Sequence, residues 1–264
     1  MKKTIFITGA SSGLGKATAK LFQSNGWNVI ATMRNPEKEL ELSQLENVTL
    51  LSLDITNLEQ IDATVHKAIQ LNPVDVVFNN AGYGLMGALE ATTDEQILTQ
   101  INTNLLGAIR VTKAFIPHFR EKKNGLFINT TSMGGFLTFP LSSLYHATKF
   151  ALEGWAEGMS YELSQHNIKI KTIAPGGIAT DFTGRSLQSI RSQEYEILEQ
   201  KLFTLTEQMK DASSPEEIAS IVFEAATDNK DQIRYIAGED ANMLFSRRQE
   251  IGSENFRKEL ASQF

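Results

Sequence analysis

The sequence predicts one α/β domain across residues 1–264, a three-layer, doubly wound parallel sheet of about seven strands. Three observations carry this. Short β-branched runs alternate with segments whose apolar residues recur every three or four positions, the pattern of strand and amphipathic helix in repetition. A glycine-rich turn joins the first run directly to the first helical segment. The 264 residues are 41% hydrophobic and 21% charged, which suits a chain that buries a sizeable core.

Strands are expected at 4–8, 28–33, 48–53, 74–78, 126–130, 169–173 and 232–236, and helices at 14–24, 58–71, 94–120, 145–164 and 215–226. The opening Met1-Lys2-Lys3 and the apolar run after it briefly imitate a secretory signal. The run breaks at Thr8-Gly9, short of an apolar region of about 7 residues or more, and reads as a buried first strand. Right-handed crossovers place helices on both faces of a parallel sheet and ligands beyond the carboxyl ends of its strands, so functional residues are expected just after strands. Residues 181–211 break the alternation, and a long insert of this kind is expected to act as a substrate lid.

The formal net charge of −6 argues against a general nucleic-acid binder, which needs a basic surface. With no cysteine there is no disulfide, thiolate nucleophile or Cys-based zinc site, and the four histidines lack metal-ligand spacing, so no metal is expected. No apolar stretch approaches the roughly 18 residues of a membrane span, and a cytoplasmic location without membrane partners is the expectation.

After the first strand comes Thr8-Gly9-Ala10-Ser11-Ser12-Gly13-Leu14-Gly15, then a helical face with Ala17, Leu21 and Phe22. Glycines 9, 13 and 15 let the backbone turn tightly and approach a pyrophosphate, whose charge meets free amides and the positive end of the helix dipole. Ser11 and Ser12 add hydroxyl donors. Further along, Tyr145 and Lys149 share a helical face at i and i+4. A phenol of pKa about 10 is a poor base at neutral pH, but a neighbouring ammonium stabilises the phenolate, so Lys149 is expected to activate Tyr145. Ser132 closes Asn129-Thr130-Thr131-Ser132 at the end of the fifth strand, where its hydroxyl could donate to a substrate oxygen that gains negative charge.

Thr8 to Gly15, Asp54, Asn79-Asn80-Ala81-Gly82, Asn104, Ser132, Tyr145 with Lys149, and Pro175-Gly176 together resemble the motifs of the short-chain dehydrogenases/reductases, a family with the Rossmann fold. The Gly-x-x-x-Gly-x-Gly spacing is that of the family rather than the Gly-x-Gly-x-x-Gly of long-chain dinucleotide binders. The resemblance implies a catalytic tetrad of Asn104, Ser132, Tyr145 and Lys149. In it Tyr145 exchanges the proton, Ser132 polarises the carbonyl, Lys149 also holds the nicotinamide ribose, and Asn104 supports a water. It implies cofactor contacts from Gly9, Ser11, Ser12, Gly13, Leu14 and Gly15 to the pyrophosphate, and from Asp54 and Ile55 to the adenine. Asn80, Ala81 and Gly82 would pass under the ribose, and Pro175, Gly176, Ile178 and Thr180 would meet the nicotinamide carboxamide. It also implies a homodimer or homotetramer, with segments 94–120 and 145–164 pairing between subunits and Gly154 and Gly158 permitting close approach.

In dinucleotide folds an acid about 20 residues past the glycines takes the ribose hydroxyls of NAD. Here the second strand ends Ala31-Thr32-Met33-Arg34, so Met33 stands where the acid belongs and Arg34 offers a guanidinium to the 2′-phosphate of NADP. NADP(H) is the expected cofactor, with NAD(H) the alternative. Expected pocket walls are Leu85, Met86, Met133, Phe136, Leu137, Phe139, Leu141 and Leu144, with Phe182, Leu187 and Phe203 from the insert. They favour a hydrophobic small-molecule ketone, aldehyde or secondary alcohol. The rival reading is a non-catalytic NADP(H)-binding regulatory protein of the same fold.

Overall fold

The computed structural model describes residues 2–179, 187–208 and 212–264. Its strands are β1 (Thr4–Thr8), β2 (Asn28–Met33), β3 (Val48–Ser52), β4 (Val76–Asn79), β5 (Gly84–Met86), β6 (Gly125–Thr130), β7 (Ile168–Pro175), β8 (Leu187–Ser189) and β9 (Arg234–Ala237). Its helices are α1 (Gly13–Ser24), α2 (Leu58–Leu71), α3 (Asp94–Ile101), α4 (Gly107–Lys122), α5 (Ser143–Ser164), α6 (Glu196–Gln208), α7 (Pro215–Thr227), α8 (Glu239–Ile251) and α9 (Ser253–Ala261). Seven strands form one parallel sheet in the order β3-β2-β1-β4-β6-β7-β9, the Rossmann-type arrangement expected from the sequence.

Strand periodicity places the core on both faces. Ile5 and Ile7 of β1 point into a cluster with Leu14, Ala17 and Phe22 of α1 and Ile218 and Val222 of α7. Phe6, between them, joins the opposite cluster with Ile61 of α2, Val111 and Phe115 of α4 and Ala156 of α5. β1 lies between β2 and β4, so successive strands run outward to β3 and then return to the other side of β1. That reversal opens a crevice beyond the carboxyl ends of β1 and β4, which is where the glycine turn and Asn80–Gly82 stand.

Three departures from the expected elements have physical causes. The helix expected over 94–120 is interrupted by a π-helical turn at Asn102–Leu106, the kind of bulge that re-aims one side chain. β5 and β8, absent from the sequence reading, are three-residue strands that exist only because they pair with each other across about a hundred residues of chain. The insert therefore contains order of its own, β8 and α6. α8 and α9, also not foreseen, are mostly polar and are held by Phe245 and Phe256 packing on the Phe136–Leu137 cluster. Among the described residues no helix is long and apolar enough to cross a membrane.

Candidate active site

The glycine turn is shaped by close approach. Gly9 has φ +67°, and a Cβ there would stand 2.8 Å from Ala81 Cα; a Cβ on Gly15 would stand 2.3 Å from Gly9 O. Gly13, with φ +50°, starts α1, and Leu14 is buried behind it. Ser12 occupies the N-cap in extended conformation but makes no side-chain capping bond, and no acid lies in the first turn of α1. By contrast α2, α3 and α7 are capped by Asn57, Thr93 and Ser214. The first-turn amides of α1 therefore keep their donors for a ligand, and a dinucleotide pyrophosphate fits that donor set. Ser11 is exposed at the tip of the turn.

Asn80 and Ala81 serve this turn from below. Asn80 N–H and Ala81 N–H both donate to Thr8 Oγ1, at 3.0 and 3.1 Å, and Asn80 Nδ2 donates to Thr8 O and Gly9 O, each at 3.2 Å. Thr130 Oγ1 donates to Asn80 Oδ1, which ties the end of β6 to the same point. Asn80 thus braces the turn.

The four residues of the expected tetrad converge. Ser132 follows β6, and its Oγ accepts from Gly134 N–H at 3.0 Å, leaving the hydroxyl proton for its hydrogen bond with Tyr145. Lys149 is buried; its Nζ donates to Thr130 O at 2.9 Å and lies 5.6 Å from the centre of the Tyr145 ring. Asn104, 2% exposed in the π-helical turn, accepts from Tyr83 N–H at 2.9 Å through Oδ1 and donates to Tyr83 O at 2.7 Å through Nδ2. Gly82 makes the convergence geometric: a Cβ there would lie 3.1 Å from Asn104 Oδ1 and 3.8 Å from Lys149 Nζ.

Burial governs the electrostatics of the pair. Burial pushes the Tyr145 phenol up, and the bond from Ser132 pulls it part of the way back. Lys149 Nζ, bonded to Thr130 O, keeps two further N–H donors and lies 5.6 Å from the centre of the Tyr145 ring. Burial also depresses Lys149, to about 8, against the pull of the Glu153 carboxylate. Two buried groups thus lean toward their neutral forms, and a bound cation or anion would move both.

Other expected contacts are met unevenly. Asp54 Oδ1 is used locally, accepting from Thr56 N–H at 2.9 Å and Thr56 Oγ1 at 2.7 Å; Ile55 is buried against Gly107. Gly176 N–H is committed to Ala237 O at 2.9 Å, so that amide is not open to the expected carboxamide contact; Gly177 N–H is held by Asp240 at 2.7 Å. The reason is β9, which continues the sheet past Pro175 and claims the Gly176 donor. Ile178 bridges to Ser213. Thr180 and Phe182 lie outside the described residues. Arg34 is exposed at the end of β2 and joins no ion pair among the described residues, while Glu39 and Glu41, further along the chain, are held by Lys16 and Lys20. Phe136 and Leu137 are core rather than pocket wall, Phe136 meeting Phe245 edge-on at 4.9 Å.

A family model described as short chain dehydrogenase matches residues 3–190. The chain belongs to the short-chain dehydrogenases. It is an oxidoreductase of that family, whose members use a nicotinamide cofactor. A solved short-chain dehydrogenase from Streptomyces avermitilis aligns with TM-score 0.84 and 32% identity, covering 95% of this chain and 94% of that one. The structure of ElxO with NADP bound aligns with TM-score 0.76 and 29% identity over 89% of this chain and 98% of its own. A 3-ketodihydrosphingosine reductase of Bacteroides thetaiotaomicron is 37% identical over 191 residues, 72% of this chain and 69% of that protein.

Several residues that shape the site of this dehydrogenase escaped the sequence reading. Tyr83 and Gln100 complete the Asn104 cluster, Gln100 Nε2 donating to Tyr83 O at 3.1 Å. Glu153, 5% exposed one turn beyond Lys149, pairs with Arg234 at 2.7 Å and accepts from Thr172. An acid inside an otherwise apolar helix face, four residues after Lys149, was the available signal.

Proposed function

We propose that this dehydrogenase interconverts a hydrophobic ketone or aldehyde and the corresponding alcohol with NADP(H). The observation that carries the reading is the meeting of Asn104 and Lys149 at Gly82, with the centre of the Tyr145 ring 5.6 Å from Lys149 Nζ and Ser132 bonded to Tyr145, beside an uncapped helix terminus. When bound, the nicotinamide supplies or accepts the hydride. Tyr145 passes its proton to the substrate oxygen as negative charge grows there, and Ser132 donates a second hydrogen bond to that oxygen. The Lys149 ammonium, anchored on Thr130 O, offsets the charge left on Tyr145 and offers a donor to the cofactor ribose. Asn104 holds Tyr83 and the Gly82 backbone in place beside Lys149.

Arg34 supports NADP(H) over NAD(H): its guanidinium joins no ion pair among the described residues, an acid is missing at Met33, and Glu39 and Glu41 further along the chain are paired with lysines. The ElxO structure, solved with NADP, is consistent with that preference. A hydrophobic substrate is supported by half-buried Met86 and exposed Leu89 at and beyond the end of β5 and by the relative named for a sphingoid ketone. Beside them a cavity of about 480 Å³ opens between Leu89, Pro140, Leu141 and, from the insert, Tyr195 and Leu198. The test is a panel of carbonyls, short and long, neutral and charged, read as NADPH or NADH oxidation. Turnover of apolar carbonyls with NADPH is the expected result. Turnover of charged carbonyls alone, or with NADH alone, overturns the substrate or cofactor assignment.

A further inference from the structure

His146 follows Tyr145 directly, and the chemistry proposed above gives it no task. It is 6% exposed. Phe139 N–H donates to its Nε2 at 2.9 Å, and its Nδ1 lies 2.9 Å from Gly134 O. A ring nitrogen that accepts an amide proton carries none of its own, so the proton is on Nδ1 and is donated to Gly134 O. One neutral tautomer satisfies both bonds. The two bonds grip the loop between Ser132 and α5 at both of its ends.

The grip reaches the reacting groups. Gly134, held at its carbonyl by His146, gives its own N–H to Ser132 Oγ at 3.0 Å, and that bond sets which way the Ser132 hydroxyl turns. Contact is tight on the other side as well, since a Cβ on Gly134 would stand 2.9 Å from His146 Nδ1 and 3.1 Å from Tyr145 Cε1. The imidazole sits between the Tyr145 and Phe139 rings, 6.0 and 6.1 Å away.

We propose that His146 is a positioning residue that clamps the loop 134–139 to the catalytic helix, orienting Ser132 through Gly134 and, through Phe139, the adjoining Pro140 and Leu141 that line the cavity. The proposal rests on the oxidoreductase reading for what Ser132 does, but the clamp itself is a matter of hydrogen bonds. Protonation opens it at one end, because a proton on Nε2 meets the Phe139 N–H donor head-on. Burial keeps the imidazole below its ordinary 6.5. The clamp is therefore whole above that value and opens as pH falls through the lowered one. The titratable groups near the ring are Tyr145 and Lys149 on its own helix, with Glu153 beneath Gly135. From the loop come the Phe139 N–H and the Gly134 carbonyl, and from β9 comes Arg234, stacked on Phe136 at 5.8 Å.

Two substitutions separate the two bonds. An asparagine amide reaches the place of Nδ1 but not of Nε2, and a glutamine amide reaches the place of Nε2. His146→Asn is expected to keep kcat within a few-fold and raise KM for the best carbonyl of the panel, since only the Phe139 end is released. His146→Gln is expected to lower kcat on the order of tenfold or more, as Ser132 loses its register. Both should keep NADPH affinity, read by fluorescence titration. Equal losses in both variants would mark a merely structural residue, and wild-type kinetics in both would show no role; either result overturns the proposal. A second measurement needs no substrate: two-bond 15N–1H spectra of imidazole-labelled protein, with His146 assigned from the variants. The Nδ1–H tautomer and a titration below 6.5 are expected. The Nε2–H tautomer overturns the clamp. Should no carbonyl be turned over, the functional reading falls and the spectrum still decides the clamp.

Discussion

Tyr145 and Lys149 share one face of α5, and the same burial drives both toward neutrality, the phenol upward and the ammonium down to about 8. Tyr145→Phe retains the ring packing and loses the transferable proton. It is expected to abolish nearly all turnover while leaving NADPH affinity within a few-fold, checked by steady-state rates and cofactor titration. Retention of more than about a tenth of the wild-type rate would remove Tyr145 from the chemistry. For Lys149 the charged form exists below its depressed value and is lost as pH rises through about 8. Carbonyl reduction should accordingly fall above that pH. Glu153 holds the lysine up, so Glu153→Gln should move the alkaline limb of kcat/KM to lower pH, and a limb that stays in place would mean the lysine charge is set by something else.

At the scale of elements, the proposed specificity is tested at the end of β2 and in the insert. Placing Asp at Met33 and Ala at Arg34 should reverse preference from NADPH to NADH. The carboxylate would accept ribose hydroxyls, and loss of the guanidinium removes a charge-assisted bond worth roughly 1.5–3 kcal/mol, on the order of tenfold to a hundredfold in affinity. The ratio of kcat/KM with the two cofactors measures it; an unchanged ratio would make Arg34 a solvated loop residue. In the insert, β8 is stapled to β5 and Ile190 N–H donates to Met86 O at 2.8 Å, while among the described side chains of α6 only Leu202 is buried. Amides of 187–190 should exchange slowly throughout, whereas those of α6 should slow when cofactor and carbonyl are added, as a closing lid requires. Equal exchange of α6 in both conditions would mark it as fixed wall.

Across the whole molecule, the last strand is locked to the sheet by a buried charge cluster. Lys171 of β7 donates to Asp228 at 2.7 Å, to Ala225 O and Tyr235 Oη at 2.9 Å each, and Tyr235 Oη donates to Asp228. Lys171 and Asp228 side chains are 3% and 8% exposed, so removing one charge strands the other. Asp228→Asn should destabilise the fold by about 3–5 kcal/mol, read by urea or thermal unfolding. Burial resists the Asp228 charge, but bonds from Lys171 and Tyr235 prevail and hold its carboxyl at about 2. Its contribution is present above the ordinary carboxylate range and is lost as pH falls through about 2, so the variant should also lack part of the wild-type acid transition.

The sheet and its helices were legible because strand and helix periods are local properties: β1 and β2 fall at the expected bounds, and α2 does as well. The glycine turn, Ser132, Tyr145 and Lys149 were legible for a related reason, since each stands at a strand end or on one helix face whose geometry follows from short-range spacing. What tertiary structure alone decided lies in pairings between distant segments. Asn104 reads as mid-helix until the π-helical turn aims it at Tyr83, and Gly176 reads as a carboxamide contact until β9 takes its amide. β5 and β8 have no signal until they meet, and Phe136 and Leu137 look like pocket until α8 and α9 cover them. The sequence by itself determined the architecture and which side chains are proposed to react, because backbone periodicity and side-chain chemistry are written residue by residue. Burial, hydrogen-bond partner and protonation state were decided only in the fold, because each depends on which remote atoms exclude water from a group and which donor or acceptor replaces it.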